Sequence, residues 1–453
     1  MSLLPIIVAV ITAAATFFNF CTGPSFKTSS LPTSHIVYPS GDPKSVVVLL
    51  SDANGWNEDE EEASETLRED GAVVVGVDLP EYYAALGNEK RDCLYLVSDI
   101  EDLSRQVHRF AGLSDYRPPV IAGLGDGATL ALAIAAQTPE STISETLAID
   151  PESTIPLSTV LCTPAPKKPG RGGIVYGLTA GQLPNPIRVV LSPKADAEGR
   201  AHTEDLKVSH PDIKVSHSGM AADDALRLYG AELLDRLARS KTALNLPIVP
   251  IPAEPKHDTM AIVYSGDGGW RDIDEKLGSY LQEEGIPVVG VDSLRYFWSE
   301  KSPQKAAEDL SRIIDTYRRQ WKVDHVILIG YSFGANILPA TYDKLPDADR
   351  QVVSLVSLLA PTHQADFKIA VTGWLGVPGA GKYGDPVAAL AGMEPWKIQC
   401  IHGRDEEGSA CLDVEKIAGT QVLERPGSHH FDGDYRALNR LIVDRMTALS
   451  ATN

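Results

Sequence analysis

The sequence predicts an α/β protein built from two tandem domains with mostly parallel sheets. Three observations carry this. Continuous β-branched runs such as Ser45-Val-Val-Val-Leu-Leu50 and Ala72-Val-Val-Val-Gly-Val77 alternate with helical patterns, the mark of strands buried on both faces of a parallel sheet. The same pattern then recurs in the second half of the chain, and an internal repeat of that length implies two copies of one fold. Finally, 453 residues exceed one ordinary compact domain.

Taken in order, the chain opens on a nearly all-apolar run, Leu3 to Phe18, with small residues at Ala13, Ala14 and Ala15. That is the length of a signal-peptide core and short for a membrane span, although no Lys or Arg precedes it. Residues 1–24 are therefore expected to be a signal peptide or short anchor of a periplasmic protein, with inner-membrane association left open. Phe20 before Cys21 argues against lipid attachment. The first domain is placed at 33–242, closed by a helix over Ala221 to Ser240. The Pro-dense stretch Leu246 to Pro255 marks 243–256 as a stiff linker. The second domain follows at 257–453.

The copies align closely. Leu50-Ser-Asp-Ala-Asn-Gly-Trp56 matches Tyr264-Ser-Gly-Asp-Gly-Gly-Trp270, and the same interval leads from Trp56 to Asp78 and from Trp270 to Asp292. Pro119 to Ala128 matches Val326 to Ala335, each a strand, a Gly-rich turn and an Ala-rich helix start. Where the second copy has Ser332 the first has Gly125, so the first is expected to keep the scaffold and to have lost the chemistry. Ile187 to Asp196 answers to Trp396 to Asp405, whereas the His pair near the C-terminus has no counterpart.

A formal net charge of -20 leaves no footprint for nucleic acid and suits a cationic ligand. Cys400 and Cys411 flank an acidic loop and are expected to staple it in an oxidising compartment. No metal-ligand spacing or phosphate-cradling loop stands out, so neither metal nor cofactor is expected.

The chemistry centres on Gly330-Tyr-Ser-Phe-Gly334, a G-x-S-x-G elbow between a clear strand and a small-residue helix. This context projects a serine hydroxyl from a strained turn and marks an α/β-hydrolase-like domain, the N-terminal copy being catalytically degraded. Ser332 is the candidate nucleophile. The oxyanion hole is assigned to the amide of Asp267 or Gly268 together with that of Phe333. The base follows the last strand: either His429 or His430, with the H-x-[FY] form favouring His429. The acid follows the preceding strand, Asp405 being the first choice and Glu406 its rival; the order Ser, acid, His fits this fold. Trp374, between elbow and acid, is expected to line an apolar flap, as is the stretch Tyr296 to Trp298.

The Tyr264 to Trp270 loop, the Gly330 to Ala335 elbow, the Cys-bracketed acidic loop and His429-His-Phe-Asp-Gly-Asp-Tyr435 together resemble the VirJ/AcvB family of bacterial virulence proteins. The resemblance covers nearly the whole chain. It implies a periplasmic serine hydrolase of aminoacyl-phosphatidylglycerol, chiefly lysyl-phosphatidylglycerol, acting at the membrane surface in lipid homeostasis, acid tolerance or virulence. A lysyl group carries two positive charges, so Glu406, Glu407, Asp432 and Asp434 become candidates for binding it. A periplasmic adaptor for envelope secretion and a generic esterase are the alternatives.

Overall fold

The computed structural model describes residues 26–239, 243–370 and 381–451. The expected signal peptide or anchor at 1–24, Cys21 and Trp374 lie outside the described residues.

Among the described residues, two seven-stranded sheets share one plan. The first contains β1 (His35–Val37), β2 (Ser45–Leu50), β3 (Ala72–Val77), β4 (Val120–Leu124) and β5 (Glu145–Ile149); a separate hairpin of β6 (Lys167–Gly170) and β7 (Gly173–Tyr176) intervenes before β8 (Ile187–Leu191) and β9 (Lys214–His217). Their order is β1-β3-β2-β4-β5-β8-β9, parallel throughout except for β1. The second sheet contains β10 (Ile248–Ile251), β11 (Thr259–Tyr264), β12 (Val288–Val291), β13 (His325–Tyr331), β14 (Val353–Leu359), β15 (Ile398–Gly403) and β16 (Gln421–Arg425). Its order, β10-β12-β11-β13-β14-β15-β16, repeats the first, again with only the edge strand antiparallel. This is the doubly wound sheet of an α/β-hydrolase. Every residue of β2, β3 and β11 is buried, because helices cover both faces.

The repeated Trp-to-Asp interval has a packing cause. Trp56 fills the space over Gly76 in β3, where an added Cβ would sit 2.2 Å from its ring, and Trp270 does the same over Gly290 in β12 at 2.4 Å. Only glycine admits an indole that close. Beneath the ring, Asp78 accepts from the Trp56 amide at 2.8 Å.

Two expectations are corrected. The Pro-dense segment is not a free linker: Ile248–Ile251 pairs with β12 as an edge strand. An edge tolerates Pro250 because one side of its backbone has no ladder to complete. Nor is Tyr296 to Trp298 a mobile flap, since its side chains are buried and the indole of Trp298 packs against Tyr116 of the first domain. Cys93 bonds Cys162 in the first domain and Cys400 bonds Cys411 in the second.

Candidate active site

The elbow follows from contacts at two glycines. A Cβ on Gly330 would lie 2.6 Å from the backbone of Gly334 and Ala335, and one on Gly334 would lie 2.2 Å from the Tyr264 carbonyl. The strand can therefore turn into the helix Phe333–Asp343 only with glycine at both places. Between them Ser332 takes φ 52°, ψ −113°, a conformation L-residues rarely adopt. Its amide is held by the Leu359 carbonyl at 2.9 Å.

The hydroxyl so projected meets a complete relay. His429 Nε2 lies 2.9 Å from Ser332 Oγ, and His429 Nδ1 lies 2.6 Å from Glu406 Oε1. The serine comes from the turn after β13, the acid from the loop after β15 and the histidine from the loop after β16. Ser332 and His429 are partly exposed, while the Glu406 side chain is 9% exposed. A shielded carboxylate orients the imidazole and stabilises its protonated form, leaving Nε2 to take the serine proton. This is the constellation of a serine hydrolase.

Several assignments change. Glu406, not Asp405, contacts the imidazole. The Asp405 amide donates to the Gly427 carbonyl at 3.0 Å, and its side chain is left in solvent. His430 is not in the relay: its ring stands perpendicular to that of His429, with Nδ1 3.2 Å from the Tyr331 hydroxyl. Asp432 packs its carboxylate into the turn at Gly427, and Asp434 caps the helix Tyr435–Ser450 while pairing with Arg425. Glu407 is exposed.

The loop after β11 runs beside the nucleophile. A Cβ on Gly266 would sit 3.8 Å from that of Ser332. The amides of Asp267, Gly268 and Phe333 have no hydrogen-bond acceptor among the described residues, whereas Gly266 donates to Asp274 Oδ2 at 3.3 Å and Gly269 to the Gly266 carbonyl. Burial pushes the Asp274 carboxyl well above the usual range. The loop thus offers free backbone donors beside Ser332, as stabilisation of a tetrahedral oxyanion requires.

Sequence reading missed two neighbours. Tyr331 donates to the His429 carbonyl at 3.3 Å and sets its ring, tilted by 41°, 5.3 Å from that imidazole, so it braces the base. Arg271, just after the loop, pairs with Glu101 of the first domain. Neither pairing leaves a signal in spacing, because the partners are far apart in the chain.

The first domain keeps the elbow without the relay. Gly125 takes φ 50°, and Cβ atoms on Gly123 and Gly127 would meet backbone at 2.4 and 2.2 Å, as at Gly330 and Gly334. No side chain at Gly125 can attack.

Solved structures similar to the chain include Est1E of Butyrivibrio proteoclasticus, at 12% identity and TM-score 0.34, over 45% of this chain and 96% of that one. A proline iminopeptidase from Mycobacterium smegmatis matches at 11% and 0.35, over 45% and 95%. A serine hydrolase without lid from Xanthomonas campestris matches at 19% and 0.32, over 44% and 88%. Strand order and elbow, rather than these likenesses, fix the fold. Comparison with curated proteins gives no match. The family model described as "Bacterial virulence protein (VirJ)" matches residues 258–450, a span that holds β11 to β16 and all three relay residues.

Proposed function

We propose that the protein is a periplasmic serine hydrolase that cleaves the aminoacyl ester of aminoacyl-phosphatidylglycerol, chiefly lysyl-phosphatidylglycerol. The observation that carries the hydrolase part is the Ser332–His429–Glu406 relay on a strained elbow. Ser332 attacks the lysyl carbonyl and His429 takes its proton. The oxyanion forms against free amides of the Asp267–Gly268 loop and Phe333. His429 then protonates the departing glycerol oxygen, phosphatidylglycerol leaves, and water releases lysine from the acyl-enzyme. The substrate rests on the resemblance to the VirJ/AcvB family and on the acidic character of the chain, which suits a dicationic acyl group. Two disulfides are consistent with an oxidising compartment.

The test incubates protein lacking the residues before about Ser25 with lysyl-phosphatidylglycerol in mixed micelles, beside Ser332→Ala, and follows free lysine. Release by the wild type alone supports both substrate and nucleophile. Cleavage of a simple aryl ester without lysine release would remove the lipid substrate and leave a generic esterase. The first domain, which keeps a scaffold without a nucleophile at Gly125, favours one other reading: an adaptor for envelope secretion. Ser332→Ala would spare an adaptor.

A further inference from the structure

The oxyanion loop is held from outside its own domain. Arg271 closes the loop, and its guanidinium lies across it: a Cβ on Gly268 would sit 3.0 Å from Arg271 Nε. Arg271 Nη1 donates to both carboxylate oxygens of Glu101, at 2.9 and 2.7 Å. Glu101 belongs to the helix Val97–Phe110 of the first domain and also accepts from Arg105 Nη2 at 2.9 Å. The side chains of Glu101 and Arg105 are 6% and 4% exposed, and that of Arg271 26%. A small cleft between the domains has Glu101, Tyr116 and Glu140 on one side and Gly268, Trp270 and Arg271 on the other.

The internal repeat shows what this position does when no partner domain is served. Arg271 stands where the first copy has Asn57. Asn57 caps the helix Glu58–Glu69 and completes a capping box with Glu60. In the second copy the matching helix, Ile273–Glu283, has no side-chain cap, and Asp272 before it sits at φ 50°. A stabilising cap has been exchanged for a cation that reaches across the interface. An Arg–Glu–Arg cluster with two buried members is weak evidence for stability; what it supplies here is a specific contact across the domains. The same first-domain helix makes a second link to the catalytic domain: Arg109 donates to the carbonyls of Trp298 and Ile369, each at 2.8 Å, and lies 3.5 Å over the Trp298 ring.

We propose that the degraded first domain is a positioning element for the second: through Glu101 and Arg271 it holds the backbone of Gly266 to Trp270, so that the loop's free amides are set for the oxyanion formed when Ser332 attacks. Glu101 and Arg271 are positioning residues, acting through the loop rather than touching substrate. The inference rests on the serine-hydrolase reading.

The test measures kcat and KM on an aryl ester, and the rate at which a fluorophosphonate phosphonylates Ser332 with loss of fluoride. It compares the full chain with Glu101→Gln, Arg271→Gln and the double variant. Removing one oxyanion donor outright costs about 100- to 1,000-fold, so a loosened loop is expected to lower kcat and the labelling rate about 10- to 100-fold, with KM nearly unchanged. The double variant is expected to be no worse than the worse single, because both changes break one link. Should the glutamine variants not fold, Glu101→Asp, which retracts the carboxylate but keeps its charge, carries the same test. Unchanged kcat in folded variants, or losses that multiply in the double, would overturn the proposal and leave the hydrolase intact. A wild type that neither cleaves the ester nor takes the label would bring down the hydrolase reading and this proposal with it.

Discussion

The choice between neighbouring carboxylates gives the sharpest prediction. Glu406→Gln keeps the shape of the side chain and removes its charge. In the wild type Oε1 receives the Nδ1 proton of His429 at 2.6 Å, while Oε2 faces the Gly403 amide at 3.4 Å. A glutamine has two ways to sit there. One aims its NH2 at Nδ1, which forces the proton onto Nε2 and leaves the base unable to accept from Ser332 Oγ. The other sets its NH2 against the Gly403 N–H, donor to donor. Neither supplies the negative charge that stabilises the imidazolium. Amide replacement of a triad carboxylate costs about 10,000-fold in kcat where the wrong tautomer results, so a fall of about 1,000- to 10,000-fold is expected, equivalent to about 4–5.5 kcal/mol of transition-state stabilisation. Asp405→Asn, whose side chain lies in solvent, is expected to stay within about twofold, as surface changes usually do. Aryl-ester kinetics of both variants, with thermal melts to confirm folding, decide the matter. A folded Glu406→Gln of near wild-type activity, or a collapse in Asp405→Asn, would refute the assignment.

Three further outcomes follow from the same geometry. Placing a serine in the first elbow, Gly125→Ser in a Ser332→Ala background, is expected to give no hydrolysis. The nearest atom to the new Cβ is Asp52 Cβ at 3.4 Å, and Ser218 to Ala221 after β9 offer no histidine; measurable turnover would refute this. Replacing Cys400 and Cys411 by alanine opens the short loop carrying Glu406, and is expected to cost about 2–3 kcal/mol in denaturant unfolding and to lower kcat more than KM. The Glu275 carboxyl is pushed up to about 7, by burial first and then by Glu140 across the domain interface. A raised acid binds more protons folded than unfolded, so its contribution favours folding below its unfolded pKa and is lost as pH rises through about 7. Glu275→Gln is expected to raise the melting temperature at pH about 8 relative to wild type and to change it less at pH about 5; the opposite order would contradict the shift.

What was legible in the sequence is what steric necessity writes into it. The elbow could be read because its glycines are dictated by backbone approaches of 2.2–2.6 Å, and the duplication because each Trp needs a glycine beneath it at a fixed remove along the chain. The acid could not be read with the same certainty. Asp405 and Glu406 are adjacent in an irregular turn, and their roles are decided by the Asp405 amide bonding to Gly427, which no side-chain pattern records. Of the two histidines, the H-x-[FY] form points to His429, which bonds Ser332 and Glu406, while His430 turns its ring perpendicular and faces Tyr331. Proline misled at Pro250, because an edge strand tolerates what a central strand forbids. Glu101 and Arg271 meet across domains, and a single sequence carries no trace of that pairing.

The two elbows also explain how one copy loses its chemistry while keeping its shape. At φ 52° Ser332 bears a strain of about 1–3 kcal/mol, offset by the packing around it. Glycine at the same φ, as at Gly125, bears almost none. A serine-to-glycine exchange at this turn therefore removes the nucleophile and relieves strain in one step, while Gly123 and Gly127 continue to dictate the strand-to-helix passage. Nothing in that exchange disturbs β4 or the helix Gly125–Ala135 behind it. That domain keeps its sheet and the helix Val97–Phe110, whose Glu101 and Arg109 bond to Arg271 and to the Trp298 carbonyl of the second domain. Selection on such a domain would act on its interface rather than on its elbow, which accounts for an intact scaffold with an empty catalytic position.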